Sequence, residues 1–273
     1  MKSTSSRKRL SLSWLLASGV LAASAFTLIL WAQPNAVGAP ATTTKTTNDG
    51  TARQTAQVWT GSPTGPDGAF EDPERETRLK LREVFDALDI QKGSVVADVG
   101  AGGGWLTMKL SSRVGPTGIV YAEEILKKYT DFIANRSKKA KATNVRTILG
   151  TTSDPKLPAN TMDAVIILNA YHEFDTPLAM LEKIKSGMKP GGRLGFIERD
   201  TDELRREAQE AYKKTGKIKR RVTESRDKDP KTDDHRLAVD IVEREAVSVG
   251  FKKVSLLELR DYNYLLVVEK PKK

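Results

Sequence analysis

The chain has no cysteine and only two histidines, His172 and His235. The first absence excludes a disulfide framework, a thiolate metal site and a cysteine nucleophile. Two imidazoles are too few for a multi-histidine centre, so no metal is expected. No internal repeat is visible. The net charge is +10 over 273 residues, but residues 1–56 hold six basic residues and one acid, so half of the excess lies in the N-terminal tail. The remainder carries 39 basic and 34 acidic residues. A nucleic-acid reading built on overall charge is therefore weak. The one basic cluster, Lys213-Lys214 with residues 217–221, has no interleaved aromatics and reads as a solvated loop.

The organising stretch is residues 94–105. Residues 94–99 are short, apolar and β-branched, as suits a central parallel strand. Four glycines follow within five positions: Gly100, Gly102, Gly103 and Gly104. Residues 105–113 then have helix-compatible apolar spacing. A strand, a glycine turn and a helix N-terminus make a nucleotide-type site. A dinucleotide fingerprint needs G-x-G-x-x-G, and its third glycine fails here because Trp105 stands there. The pattern present is D-x-G-x-G-x-G: Asp98, Gly100, Gly102 and Gly104.

Three basic residues, Arg7-Lys8-Arg9, precede a mostly apolar stretch over residues 10–32, long enough to span a bilayer. Residues 1–39 are read as a signal peptide or an uncleaved membrane anchor. The charge order places the remainder outside the cytoplasm. Residues 40–57 read as a disordered Thr/Ala-rich linker. Residues 59–72, with three glycines and two prolines, form a loop that lies over the site or covers the surface. The domain itself spans 58–273. Helices are expected over 73–88, 123–139, 177–188, 205–214 and 235–250. Strands are expected over 119–122, 145–149, 162–168 and 193–198, with a final hairpin over 251–259 and 262–268. Glu124 falls 20 residues after Gly104, at the end of the second strand. An acid there is placed to bind ribose hydroxyls, in preference to Glu123. Both are alternatively helix N-terminal acids.

Five features follow one another in a set order. Asp98 to Gly104 is followed by Glu124, then by a loop with Gly150, Asp154, Leu157 and Pro158. An apolar strand led by Asp163 and the run Lys189-Pro190-Gly191-Gly192 complete the series. Over about residues 70–270 this resembles the class I S-adenosylmethionine (SAM) dependent methyltransferases. Within them it is most similar to a small-molecule branch with Tyr171-His172 after the fourth strand and His235-Arg236 before the last helix. The resemblance implies an α/β, Rossmann-like, doubly wound sheet of seven mostly parallel strands, the last antiparallel. It implies SAM as cofactor, held by Asp98, Gly100, Ala101, Gly102, Gly104, Glu124, Asp154 and Asn169. Asp154 is expected at the adenine or else as a helix cap. Thr151-Thr152 depart from the branch, which often has acids there. The implied reaction moves a methyl group to a small molecule by in-line displacement. His172 is the first candidate base or acceptor orienter, His235 the second, and Tyr171 faces the sulfonium or packs the substrate. Three other readings stay open: a non-catalytic SAM- or nucleoside-binding module, a nucleic-acid methyltransferase using the 213–221 cluster, and a dehydrogenase.

Overall fold

The computed structural model of the protein describes residues 61–200, 202–216 and 236–272. The apolar segment 10–32, the linker 40–57, His235 and the basic residues 217–221 lie outside the described residues. Among the described residues, no helix is long and apolar enough to cross a membrane.

Seven strands form one sheet in the order β3-β2-β1-β4-β5-β7-β6. They are β1 (Val95–Val99), β2 (Ile119–Glu124), β3 (Val145–Leu149), β4 (Met162–Leu168), β5 (Met188–Arg199), β6 (Lys252–Glu258) and β7 (Asn263–Glu269). The first five run parallel to one another, and β7 is inserted antiparallel between β5 and β6. The expected doubly wound α/β sheet with an antiparallel last strand is therefore present. The strand order reverses at β1, where β2 lies on one side and β4 on the other. In such sheets this is where a crevice opens beyond the carboxyl ends of the strands.

Both faces of the sheet are covered. In β4, Val165 and Ile167 pack with Leu181, Ile184 and Val242 on one face. Ala164, Ile166 and Leu168 pack with Leu88, Leu106 and Leu110 on the other. Burial on both faces explains the continuous apolar run of this strand. Three helices cover the sheet in the order expected: α3 (Trp105–Val114), α4 (Lys127–Lys139) and α5 (Pro177–Gly187); α6 (Asp202–Thr215) and α7 (Val239–Ser248) follow.

Three boundaries differ from the sequence reading. The helix expected over 73–88 is two short helices, α1 (Arg75–Arg78) and α2 (Leu81–Ala87). Lys80 between them is left-handed, at φ 47° and ψ 48°. Leu79 and Leu81 are both buried, yet residues two apart point to different sides of a continuous helix. The break turns both into the core. Glu123 and Glu124 belong to β2 rather than to the helix after it, because they pair in register with Ile148 and Leu149. The run Lys189 to Gly192 continues β5 as an irregular segment instead of closing a helix. Its glycines exchange hydrogen bonds with Lys270 at the end of β7.

Candidate active site

The carboxyl end of β1 runs into the glycine turn, which takes positive φ at Gly100 (71°), Gly102 (55°) and Gly104 (75°). A Cβ on Gly100 would lie 2.6 Å from the Cβ of Ala170. Gly100 is thus a close-packing position between two loops. A Cβ on Gly102 would meet nothing within 4 Å. Gly102 lines a cavity of about 650 Å³, together with Gly100, Ala101 and Gly103. The turn thus presents bare backbone to an open space, which is the arrangement glycine permits. Gly104 is the N-cap of α3 and packs on Ile133; it shapes the turn without lining the cavity.

Three buried carboxylates surround this turn. Asp98 accepts a 2.6 Å hydrogen bond from the Thr107 hydroxyl. Burial pushes its carboxyl up to about 7, against Thr107 and the Arg75 charge, which pull it down. Glu124 accepts from the backbone N–H of Gly102 at 2.8 Å and of Ile125 at 2.9 Å, and burial holds it above the ordinary range. Glu123 accepts a longer bond from Gly100 N–H, and burial raises its carboxyl strongly, with Glu124 adding to the effect. Its Oε1 is buried with no hydrogen-bond partner. The carboxylates also decide against pyrophosphate. In a dinucleotide site the turn's amides face phosphate oxygens. Here the Gly102 amide is already taken by a carboxylate, and a second negative group beside it is disfavoured. A cation in the cavity has the opposite effect: it favours the ionised forms that burial disfavours.

Residues 61–71 lie over the turn. A Cβ on Gly103 would stand 2.0 Å from the Pro63 carbonyl oxygen, so only glycine admits the strap at this height. Arg136 locks the strap down with a bidentate pair to Glu71, at 2.6 and 2.8 Å, and a 3.0 Å bond to the Gly103 carbonyl. The Tyr129 hydroxyl donates to the Gly61 carbonyl at 3.0 Å. Pro63, Ala69 and Phe70 line the cavity. Of the two sequence readings for this loop, the described part takes the first and covers the site.

Arg75 is the residue that sequence reasoning missed. It enters the cavity from α1, with its guanidinium 4.6 Å above the Trp105 ring and Nη1 donating to the Phe70 carbonyl at 2.8 Å. Burial lowers it to about 10, while Asp98 and Glu71 oppose the shift. The helical stripe of 73–88 carried no sign that this arginine turns inward, because the break at Lys80 sets that direction.

The remaining candidates divide. Asn169 lines the cavity at the end of β4 with φ 48°, and its Oδ1 is buried without a hydrogen-bond partner. Asp154 does not line it. Its carboxylate accepts the Lys156 N–H at 2.8 Å and lies 3.7 Å from Lys183. Its backbone pairs with Thr151, so the turn points the side chain outward and presents Thr151 and Thr152 to the cavity instead. The adenine assignment to Asp154 is corrected accordingly. Tyr171 and His172 are also absent from the cavity lining. Tyr171 is fully buried, edge-on to Phe174 and Phe196, and its hydroxyl donates to Glu245 at 2.7 Å. It is a core residue rather than a sulfonium contact. His172 is buried with Nδ1 2.8 Å from Glu198 Oε2. Glu198 is itself fully buried and also accepts the backbone N–H groups of Tyr171 and His172. His172 Nε2 lies 3.8 Å from Oε1 of Glu173, which does line the cavity. His235 lies outside the described residues. Lys213 and Lys214 are exposed on α6, and the rest of their cluster lies outside the described residues. Among the described residues no cluster of metal-ligating side chains occurs.

This is a doubly wound α/β protein with three buried carboxylates around its glycine turn. Residues 96–192 match the family described as "Methyltransferase domain". A demethylmenaquinone methyltransferase of Geobacillus sp. is 30% identical over 121 residues, which are 44% of this chain and 52% of that one. A ubiquinone/menaquinone biosynthesis C-methyltransferase of Pseudomonas savastanoi pv. phaseolicola is 32% identical over 145 residues, 50% of this chain and 54% of that one. The chain spans about half the length of these curated relatives. Among solved structures, a SAM-dependent methyltransferase from Aquifex aeolicus shares the fold, with a TM-score of 0.59 at 22% identity over 74% of this chain and 95% of that one. Over residues 96–192 the chain is similar to methyltransferase domains, and its fold is that of the SAM-dependent methyltransferase from Aquifex aeolicus.

Proposed function

We propose that the protein transfers a methyl group from SAM to a small-molecule acceptor bound in the same cavity. The observation that carries this reading is the ring of buried carboxylates, Asp98, Glu123 and Glu124, around the glycine turn. When bound, SAM supplies an electrophilic methyl on a sulfonium, which a nucleophile displaces in line. The chain's part is to hold the reactants aligned and dry, an effect worth up to roughly 7–11 kcal/mol. Glu124 and Asn169 stand on opposite sides of the turn, with acceptor lone pairs for ligand hydroxyl and amino groups. Asp98 compensates positive charge. The strap over Gly103 excludes water, which strengthens each of these interactions.

A base is needed only where the acceptor nucleophile carries a proton. Glu173 and Asp175 are the carboxylates that follow β4 in the cavity lining, and Glu173 takes that proton in this reading. His172 packs beside it: Nδ1 pairs with Glu198 at 2.8 Å, and Nε2 lies 3.8 Å from Glu173. In this reading the base expected at His172 stands one residue further on, at Glu173.

Calorimetric titration of the purified chain tests the cofactor assignment. SAM is expected to bind and NAD to show no heat. NAD binding without SAM binding would overturn the reading in favour of a dehydrogenase.

The same proposal covers location. The apolar run 10–32 behind Arg7-Lys8-Arg9 supports an exported or membrane-anchored protein whose domain faces away from the cytoplasm. A reporter active only outside the cytoplasm, fused after residue 57, is expected to be active. A reporter active only in the cytoplasm giving the signal would reverse the topology.

A further inference from the structure

The cavity lining carries both signs of charge. Asp98, Glu123 and Glu124 stand at the carboxyl ends of β1 and β2, and Glu173 and Asp175 follow β4. Arg75, Arg78 and Arg199 come from α1 and the end of β5. Arg75 is tied electrostatically to Asp98 and stacked on Trp105, so it belongs to the cofactor end. Arg78 and Arg199 stand farther along, beside Asp261 and Asn263 from the loop that opens β7. Two carboxylates orient Arg78: Asp72 lies 2.6 Å from Nη1, and Asp261 lies 3.3 Å from Nε. Those pairs take two of its five donors. Arg199 is half-buried. Burial lowers its guanidinium from the ordinary value, and the neighbouring charges of Arg236 and Arg78 add to this while Asp261 opposes it. Arg236 is brought there by a bridge between its backbone and that of Arg199.

Guanidiniums of like charge held together beside a partly apolar cavity repel one another, and an anion between them offsets that repulsion. Arg75, beside Asp98 and Trp105 at the glycine turn, is left in this assignment to the cofactor's own carboxylate. The same lining includes the apolar side chains of Leu79, Leu168, Phe174 and Met180. We propose that Arg78 and Arg199 bind an anionic group, carboxylate or phosphate, at one end of the acceptor, whose apolar body lies against these four side chains. The guanidinium fork suits both oxyanions. This assignment rests on the methyltransferase reading for the word acceptor, and it deepens that reading by naming the acceptor's charge.

The test uses the full chain, with and without S-adenosylhomocysteine, and three probes of similar size: benzoate, phenyl phosphate and neutral benzamide. Ligand-observed NMR titration gives their affinities. At least one anion is expected to bind about tenfold or more tightly than benzamide, as charge-assisted pairing implies. The stronger of the two identifies carboxylate or phosphate as the group. Arg199→Gln is expected to remove that preference while leaving SAM affinity within about twofold; Arg78→Gln is the second variant, because its pairing with Asp72 and Asp261 also supports the fold. Equal binding of benzamide and both anions would overturn the proposal. So would an anion preference that survives both substitutions, or a loss of SAM affinity as large as the loss of anion binding. If SAM fails to bind the wild-type chain, the methyltransferase reading falls. The anion preference and its loss in Arg199→Gln, measured without cofactor, still decide this assignment.

Discussion

Asp98→Asn is expected to weaken SAM binding by about ten- to a hundredfold, while making the cofactor-free protein more stable at neutral pH. The first effect follows from losing one charge-assisted interaction of about 1.5–3 kcal/mol. The second follows from burial. The folded-state carboxyl titrates at about 7, above an ordinary value of 3.8. A carboxyl raised on folding contributes stability that is fully present below its unfolded pKa and is lost as pH rises through its folded pKa. The cofactor-free wild type therefore loses stability between about pH 4 and pH 7, and the Asp98→Asn substitution removes that loss. Glu123 and Glu124, also raised by burial, act with the same sign. Ligand binding has the opposite dependence. A cation beside Asp98 requires the ionised form, so SAM affinity is expected to rise about tenfold from pH 6 to pH 8 and then level off. Titrations at several pH values, with thermal melts alongside, check both trends. A flat affinity profile in the wild type would show that Asp98 does not face the ligand's charge.

Gly102→Val is expected to abolish detectable SAM binding in a protein that remains folded. Gly102 combines a φ of 55° with open space where its Cβ would stand, and that space is the cavity. A β-branched residue there costs roughly 1–3 kcal/mol of backbone strain and places its methyl groups where the ligand must approach the amide. Gly115→Ala is the control. Gly115 also has positive φ, at 67°, with nothing within 4 Å of a Cβ, but it lies at the far end of α3 and does not line the cavity. It is expected to lower the melting temperature without moving SAM affinity. Retained binding in Gly102→Val would displace the ligand from the turn.

The same contrast separates what the chain's linear pattern made legible from what it did not. β1 and β4 were legible because strands buried on both faces need near-continuous apolar residues, and those runs are local. Asp98, Gly100 and Gly102 were legible because a strand-turn-helix site is contiguous in sequence. Asn169 followed from its place at the end of β4. Arg75, Arg78, Arg199 and Glu173 were not legible. Each is a single charged residue whose direction depends on a distant element: the break at Lys80, the β5–β7 pairing, or the turn after β4. Asp154, Tyr171 and His172 show the converse. Their chemistry suited the site, but a two-residue turn faced Asp154 outward, and partners 74 and 26 residues away, Glu245 and Glu198, drew the other two into the core.

By itself the sequence determined the doubly wound architecture, the glycine turn and the acid that follows it, because apolar periodicity and glycine's backbone freedom act over a few neighbouring residues. Only the tertiary structure decided which charges share the cavity. Burial, and with it the raised carboxyls and the guanidiniums of one cavity, is a property of elements brought together from α1 to β7. No stretch of chain contains that information alone.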